Sequence, residues 1–142
     1  MNALEDPERI AWGLLLLRIL VGWVFLSEGI QKFLFPVALG AGRFAKIGIP
    51  TPQFTGPFVG IVEIVCGILI LVGFFTTLAS VPLLINISVA IVTTKFPMFM
   101  KQGFWAAMHE GRTDFCMFVG LIAILLLGAG SLSLDERWRR AW

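Results

Sequence analysis

Long apolar runs separated by short polar islands organise this chain. Four runs are drawn as helical spans, against a requirement of ~20 residues for a helix to cross a bilayer. The first covers about residues 11–35 and ends at Pro36. The second covers about 57–75, and the third about 78–96, stopping before Pro97. The fourth covers about 114–130 and is followed by Ser131-Leu-Ser-Leu-Asp135. It is short for a span, and lengthens if it begins earlier, through His109 to Thr113, with that polar turn held in protein rather than lipid. Only Thr76 and Thr77 separate the second and third spans, so these two form an antiparallel hairpin.

Two connections are long. Residues 35–56 hold glycine- and proline-rich pieces around Gly42-Arg-Phe-Ala-Lys-Ile-Gly48, where basic and apolar residues mix at helical spacing, as in an interfacial helix. Residues 98–108 are rich in Met, Phe and Trp105, with Lys101 the only charge, which places aromatic rings at headgroup level. Four spans put both connections on one face, the loop face, and both termini on the other. The pattern predicts an all-α integral membrane four-helix bundle, with interfacial helical segments in the two long loops, as one domain over residues 1–142.

Composition supports the membrane reading. The chain is 58% hydrophobic and 14% charged, with a mean hydropathy of +0.90, whereas soluble domains carry about 25% charged residues. The net charge of +2 comes without a basic patch interleaved with aromatics, so nucleic acid is not an expected partner; the lipid bilayer is. The N-terminus is acidic where a secretory leader would be basic, so the first run is expected to stay as a span. Cys66 and Cys116 fall at different depths of parallel spans. No disulfide is expected, and both thiols read as small buried hydrophobes. Six Lys and Arg residues on the loop face against four on the terminal face do not decide orientation, although the Arg137-Trp-Arg-Arg tail favours a cytoplasmic C-terminus.

The candidate chemistry is a set of charges at membrane depth. A carboxylate at the centre of a span costs roughly 2.5–3.5 kcal/mol on insertion scales, so such residues face a bundle interior and find partners. Glu63 lies in Gly60-Ile-Val-Glu63, about six residues into the second span, or ~9–10 Å deep. Gly56, Gly60 and Gly67 fall on the same side of that helix, and small residues let a neighbouring backbone approach. Glu28, Gln31 and Lys32 share one face of the first span, with Glu28 ~10 Å below the loop face. The third span ends in Thr93-Thr-Lys95, and the fourth begins with His109-Glu110-Gly-Arg112-Thr-Asp114. All four spans therefore bring polar groups to one end of the bundle. Glu63 and Glu28 are the candidate catalytic acids. Lys32, Gln31, Lys95, Arg112, Asp114 and Trp105 are candidate substrate-binding residues. Arg18, Asn86, His109 and Glu110 are candidate supports; Arg18 stands apart, nearer the terminal face, where it is expected to snorkel or to meet Asn86 and backbone carbonyls of the third span. One His, with the Cys residues elsewhere, gives no metal site at ligand spacing. No haem signature or dinucleotide-binding glycine loop occurs. Charge clusters of this kind also serve simply to lock helices together.

The order and spacing of several short segments resemble the DoxX family of small four-span membrane proteins. They are Leu16-Leu17-Arg18 with Gly22 and Phe25; Glu28-Gly29-Ile-Gln31-Lys32-Phe33; Gly48-Ile-Pro50-Thr-Pro52; Gly60-Ile-Val-Glu63 with Gly67; Gly73-Phe-Phe-Thr76; and Gly128-Ala-Gly130-Ser-Leu-Ser-Leu-Asp135. Many members have His where this chain has Glu28. The resemblance implies a bacterial cell membrane location with cytoplasmic termini, and a link to quinone-dependent oxidoreductase systems. On that reading a quinone is the substrate, Glu63 or Glu28 exchanges protons with it, and Lys32, Lys95 or Arg112 stabilises its reduced form. Trp105 and the Phe-rich loop cover the ring, and a partner protein supplies electrons. The alternatives are a non-catalytic anchor or assembly partner of another enzyme, and a small-molecule carrier that would need to homo-oligomerise.

Overall fold

The computed structural model describes residues 6–142; the acidic tip before Asp6 lies outside the described residues. Helix α1 spans Pro7–Leu34. The Asp6 carboxylate accepts from the Glu8 amide at 3.0 Å and Pro7 occupies the first turn, two features that favour a helix start. The short α2 (Ala41–Lys46) follows, then α3 (Pro52–Val72). Gly73, in the left-handed conformation at φ 71°, ends α3. Helix α4 (Thr76–Ala90) then runs through a π-helical turn (Ile91–Lys95) into α5 (Phe96–Gln102). Gly103, at φ 91°, turns the chain into α6 (Phe104–Glu110), followed by α7 (Arg112–Leu127) and α8 (Leu134–Arg140).

Among the described residues, three helical segments are long and apolar enough to cross a membrane: Pro7–Leu34, Pro52–Val72 and Thr76–Gln102. At 16 residues, α7 falls short of that length, and it packs against α4 and α1 as the fourth member of the bundle. The expected stop before Pro97 is corrected. Pro97 directly follows the π turn, and the helical path continues through it to Gln102. The expected Thr76-Thr77 connection also moves, to Gly73-Phe74-Phe75, with Thr76 opening α4.

The core joins Val21 and Phe25 of α1, Cys66 and Ile70 of α3, Ala79, Leu83 and Ile87 of α4, and Met117, Leu121 and Ile124 of α7. Large apolar side chains such as Leu16, Trp23, Ile61, Leu78, Ile85 and Leu126 face outward, where a bilayer replaces water as solvent. The closest helix pair is α1 and α3, and glycines permit it. A Cβ on Gly29 would lie 2.7 Å from the Gly60 carbonyl oxygen, and one on Gly22 would lie 2.8 Å from the Gly67 carbonyl oxygen. Gly56, on the same side of α3, meets the backbone of Ala41 instead. Cys66 is buried as expected, whereas Cys116 is exposed on the outer side of α7; both are free thiols.

Arg18 lies toward the terminal face, as expected, but its partners differ from those expected. It does not meet Asn86 or the third span. It is 1% exposed at the opposite end of the bundle, where it donates to Ile70 O (3.0 Å), Leu71 O (3.0 Å), Ala129 O (2.9 Å) and Leu132 O (2.9 Å). These carbonyls belong to the ends of α3 and the segment after α7. Asp135 completes this junction: its carboxylate accepts from the amides of Phe75 (2.7 Å) and Thr76 (3.0 Å), capping α4, and its own amide donates to Gly73 O (2.8 Å).

Candidate functional site

At the loop-face end, a cavity of about 360 Å³ opens between α1, α3, α4 and α7. Glu63 lines it at 4% exposure, and both of its carboxylate oxygens are engaged. Lys32 Nζ lies 2.6 Å from Oε2, and Asn86 Nδ2 lies 2.6 Å from Oε1. The glycine face of α3 explains the geometry: Gly60 and Gly67 bring α1 against α3, so Glu63, on the same side, meets the Lys32 chain rather than lipid. Charge-assisted bonds of this length offset part of the cost of burying each ion.

A second ion pair lies at the rim. Lys95, at the end of the π turn, reaches Asp114 in the first turn of α7 at 3.1 Å. The π turn also aims Thr93 and Thr94 at the cavity, and their hydroxyls bond back to Val89 O (2.7 Å) and Ala90 O (2.5 Å). Single π turns inside helices often mark functional sites, because the extra residue redirects side chains. Glu28 faces the cavity from α1, and Glu110 reaches its rim from α6. The apolar walls are Val24, Phe25, Val59, Ile87 and Met117.

Several expected residues lie elsewhere. Gln31 donates to Ser27 Oγ one turn back (2.9 Å) and does not line the cavity. Arg112 donates to the His109 carbonyl in its own turn, and both side chains are exposed outside the cavity. Trp105 is 82% exposed and packs edge-on against Phe104, as an outward-facing interfacial residue would. Arg18 belongs to the far junction described above. The cavity is covered instead by α2 and its flanks, through Leu39, Arg43, Phe44, Ile47 and Ile49. The mixed basic and apolar spacing of residues 42–48 was the available signal: a short amphipathic helix lays its apolar side on whatever apolar surface lies beneath it. Here that surface is the mouth of the bundle.

Among the described residues, no group of three or more His, Cys, Asp or Glu side chains is placed to hold a metal ion. The cavity combines apolar walls with a few charged and polar groups. Its volume lies within the range of small-molecule sites, and its polar groups are few and convergent.

The fold and site together define a small helical membrane protein with a charged cavity beneath one face. The chain belongs to the DoxX family, whose profile matches residues 13–95. An uncharacterized membrane protein of Mycobacterium tuberculosis is 51% identical over 127 residues, covering 85% of this chain and 78% of that protein. A Bacillus subtilis protein named "Putative oxidoreductase CatD" is 28% identical over 123 residues, covering 87% of this chain and 84% of its own length. An uncharacterized protein of Haemophilus influenzae is 29% identical over 141 residues, covering 97% and 98% respectively. No solved structure matches the chain significantly.

Proposed function

We propose that this protein is a redox-linked membrane subunit that binds a quinone-class ring in the cavity bounded by Glu63, Glu28, Lys95 and α2. The observation that carries the reading is the buried triad Lys32–Glu63–Asn86 at the wall of a 360 Å³ cavity with apolar sides. A quinone needs that combination: an apolar slot for the ring, and donors and acceptors for its two oxygens. Reduction consumes two electrons and two protons and gives the quinol. A partner electron-transfer protein supplies the electrons, carboxylates of the cavity relay the protons, and Lys32 and Lys95 favour charge developing on the ring oxygens. The name of the Bacillus subtilis relative is in keeping with this reading. Cytoplasmic termini, which would place the cavity near the outer face of a bacterial cell membrane, belong to the same proposal.

The test is extraction of the purified protein for bound quinone, together with quinone-dependent redox activity in membranes containing the partner. Wild type carries quinone or supports activity, and Glu63→Gln lowers either at least tenfold. Absence of both in wild type contradicts the proposal.

One observation favours a second reading, a non-catalytic anchor or assembly subunit: both oxygens of Glu63 are already satisfied within the protein. A stable complex with another enzyme that Glu63→Gln leaves intact, without bound quinone, would select it. A carrier built as a homo-oligomer would instead move its solute across liposomes.

A further inference from the structure

The cavity holds four carboxylates and three cations, but its pairs are unequal. Glu63 is matched by Lys32 and Asn86, and Asp114 by Lys95. Glu28 and Arg43 also face the cavity, and among the described residues neither side chain makes a hydrogen bond or ion pair. Glu110 is likewise free, but it is exposed at the rim, where water and headgroups solvate it. Glu28 lies six residues before Leu34, the last residue of α1, so about 9 Å below that helix end. It is half-buried, at a depth where an unpartnered carboxylate is costly. Arg43 approaches from α2, the segment that covers the cavity mouth. Phe44 beside it is buried, which fixes the face that α2 turns inward.

We infer that Glu28 and Arg43 are the recognition pair for the ligand, and that Glu63 is a positioning residue held between Lys32 and Asn86. Glu28 accepts a hydrogen bond from a ring hydroxyl, and Arg43 donates to an oxygen nearer the loop face. Phe25, Phe44 and Met117 pack on the ring between them. The cavity therefore selects a dihydroxy or phenolic ring, the reduced form, over the corresponding methyl ether, which offers no O–H donor. This inference rests on the quinone-class reading and adds to it which residues touch the ligand and which redox form is held more tightly.

The experiment is a binding titration by isothermal calorimetry on the full-length protein in detergent, under anaerobic reducing conditions where the ligand is a quinol. Three probes are used: 1,4-dihydroxynaphthalene, 1,4-dimethoxynaphthalene and, without reductant, 1,4-naphthoquinone. Wild type binds the diol about tenfold more tightly than the dimethyl ether, the worth of one charge-assisted hydrogen bond. Glu28→Gln reduces that preference to threefold or less. Arg43→Gln weakens the diol and the quinone alike, since both offer an oxygen acceptor. Glu28→Asp, with a shorter carboxylate, retains part of the preference, and each variant is first checked for an unchanged elution profile and melting temperature. A diol preference unaltered in Glu28→Gln overturns the inference while leaving the quinone-class reading intact. Failure of all three probes to bind wild type overturns both.

Discussion

Lys32 of α1 and Glu63 of α3 form an ion pair of 2.6 Å whose side chains are 10% and 5% exposed. Two helices are thereby joined at one level by opposite charges that lipid would not tolerate singly. Truncating one partner leaves the other as an uncompensated buried ion. Lys32→Met is expected to destabilise the fold by about 3–5 kcal/mol, whereas Lys32→Met combined with Glu63→Gln recovers most of the loss. Thermal unfolding of the two single variants and the double variant in one detergent checks this. Additive losses would show that the pair is not coupled.

Arg18 is the second buried cation, and its role is different. Its guanidinium satisfies four backbone carbonyls from two segments more than fifty residues apart in sequence from the arginine itself. Lys offers a point charge without the planar fork, so Arg18→Lys cannot reproduce the set. Each carbonyl left unpaired in a buried site costs ~1–3 kcal/mol. Arg18→Lys is expected to lower the melting temperature strongly, and Arg18→Ala to yield little monodisperse protein on size-exclusion chromatography. An unchanged elution profile for Arg18→Ala would count against the clamp.

The cap on α4 comes from far along the chain. Asp135 accepts from the amides of Phe75 and Thr76, and its replacement by Ala removes both bonds. Loss of a capping side chain costs about 0.5–2 kcal/mol. Asp135→Ala should fall within that range by chemical or thermal unfolding and leave ligand binding unchanged, since the cap lies at the end of the bundle away from the cavity. A change in binding as large as that in stability would contradict this separation.

Glycine substitutions distinguish close packing from mere helix propensity. A Cβ on Gly29 would sit 2.7 Å from the Gly60 carbonyl oxygen, and one on Gly67 would sit 2.8 Å from the Leu26 backbone nitrogen. Backbone cannot yield as a side chain can, so Gly29→Ala and Gly67→Ala should push α1 and α3 apart, at a cost of about 1–3 kcal/mol. Gly13, in the same helix as Gly29, has nothing within 4 Å of such a Cβ, and Gly13→Ala should stabilise by ~0.5–1 kcal/mol through helix propensity alone. Melting temperatures that move together in these variants would refute the packing argument.

The bundle was legible because apolar run length and the glycine face of α3 are local signals. Glu63 and its direction followed from Gly60 and Gly67 on the same helix side, and Glu28 and Lys32 from their spacing on α1. What escaped reading depends on distant partners. Arg18 looked like a pocket support because nothing in its own helix names the Ile70, Leu71, Ala129 and Leu132 carbonyls it binds. Trp105 looked like a cover because aromatic residues suit both a binding slot and a membrane interface; in the fold it faces outward, two residues after the turn at Gly103. Residues 42–48 read as an interfacial helix, but the cavity beneath them exists only once four helices are assembled. The continuation through Pro97 depended on the π turn, which has no strong sequence mark.

The proposed function stands or falls on a quinone-class ring entering the cavity between Glu28, Glu63, Lys95 and α2. The most direct measurement is photo-crosslinking with an azido-naphthoquinone in native membranes, mapped by peptide mass spectrometry. Quinone binding in the cavity predicts saturable labelling of residues 24–32, 39–49 and 86–95, competed by unlabelled naphthoquinone. Labelling that does not saturate, or that spreads over outward-facing residues such as Leu16, Ile61 and Leu126, would contradict it.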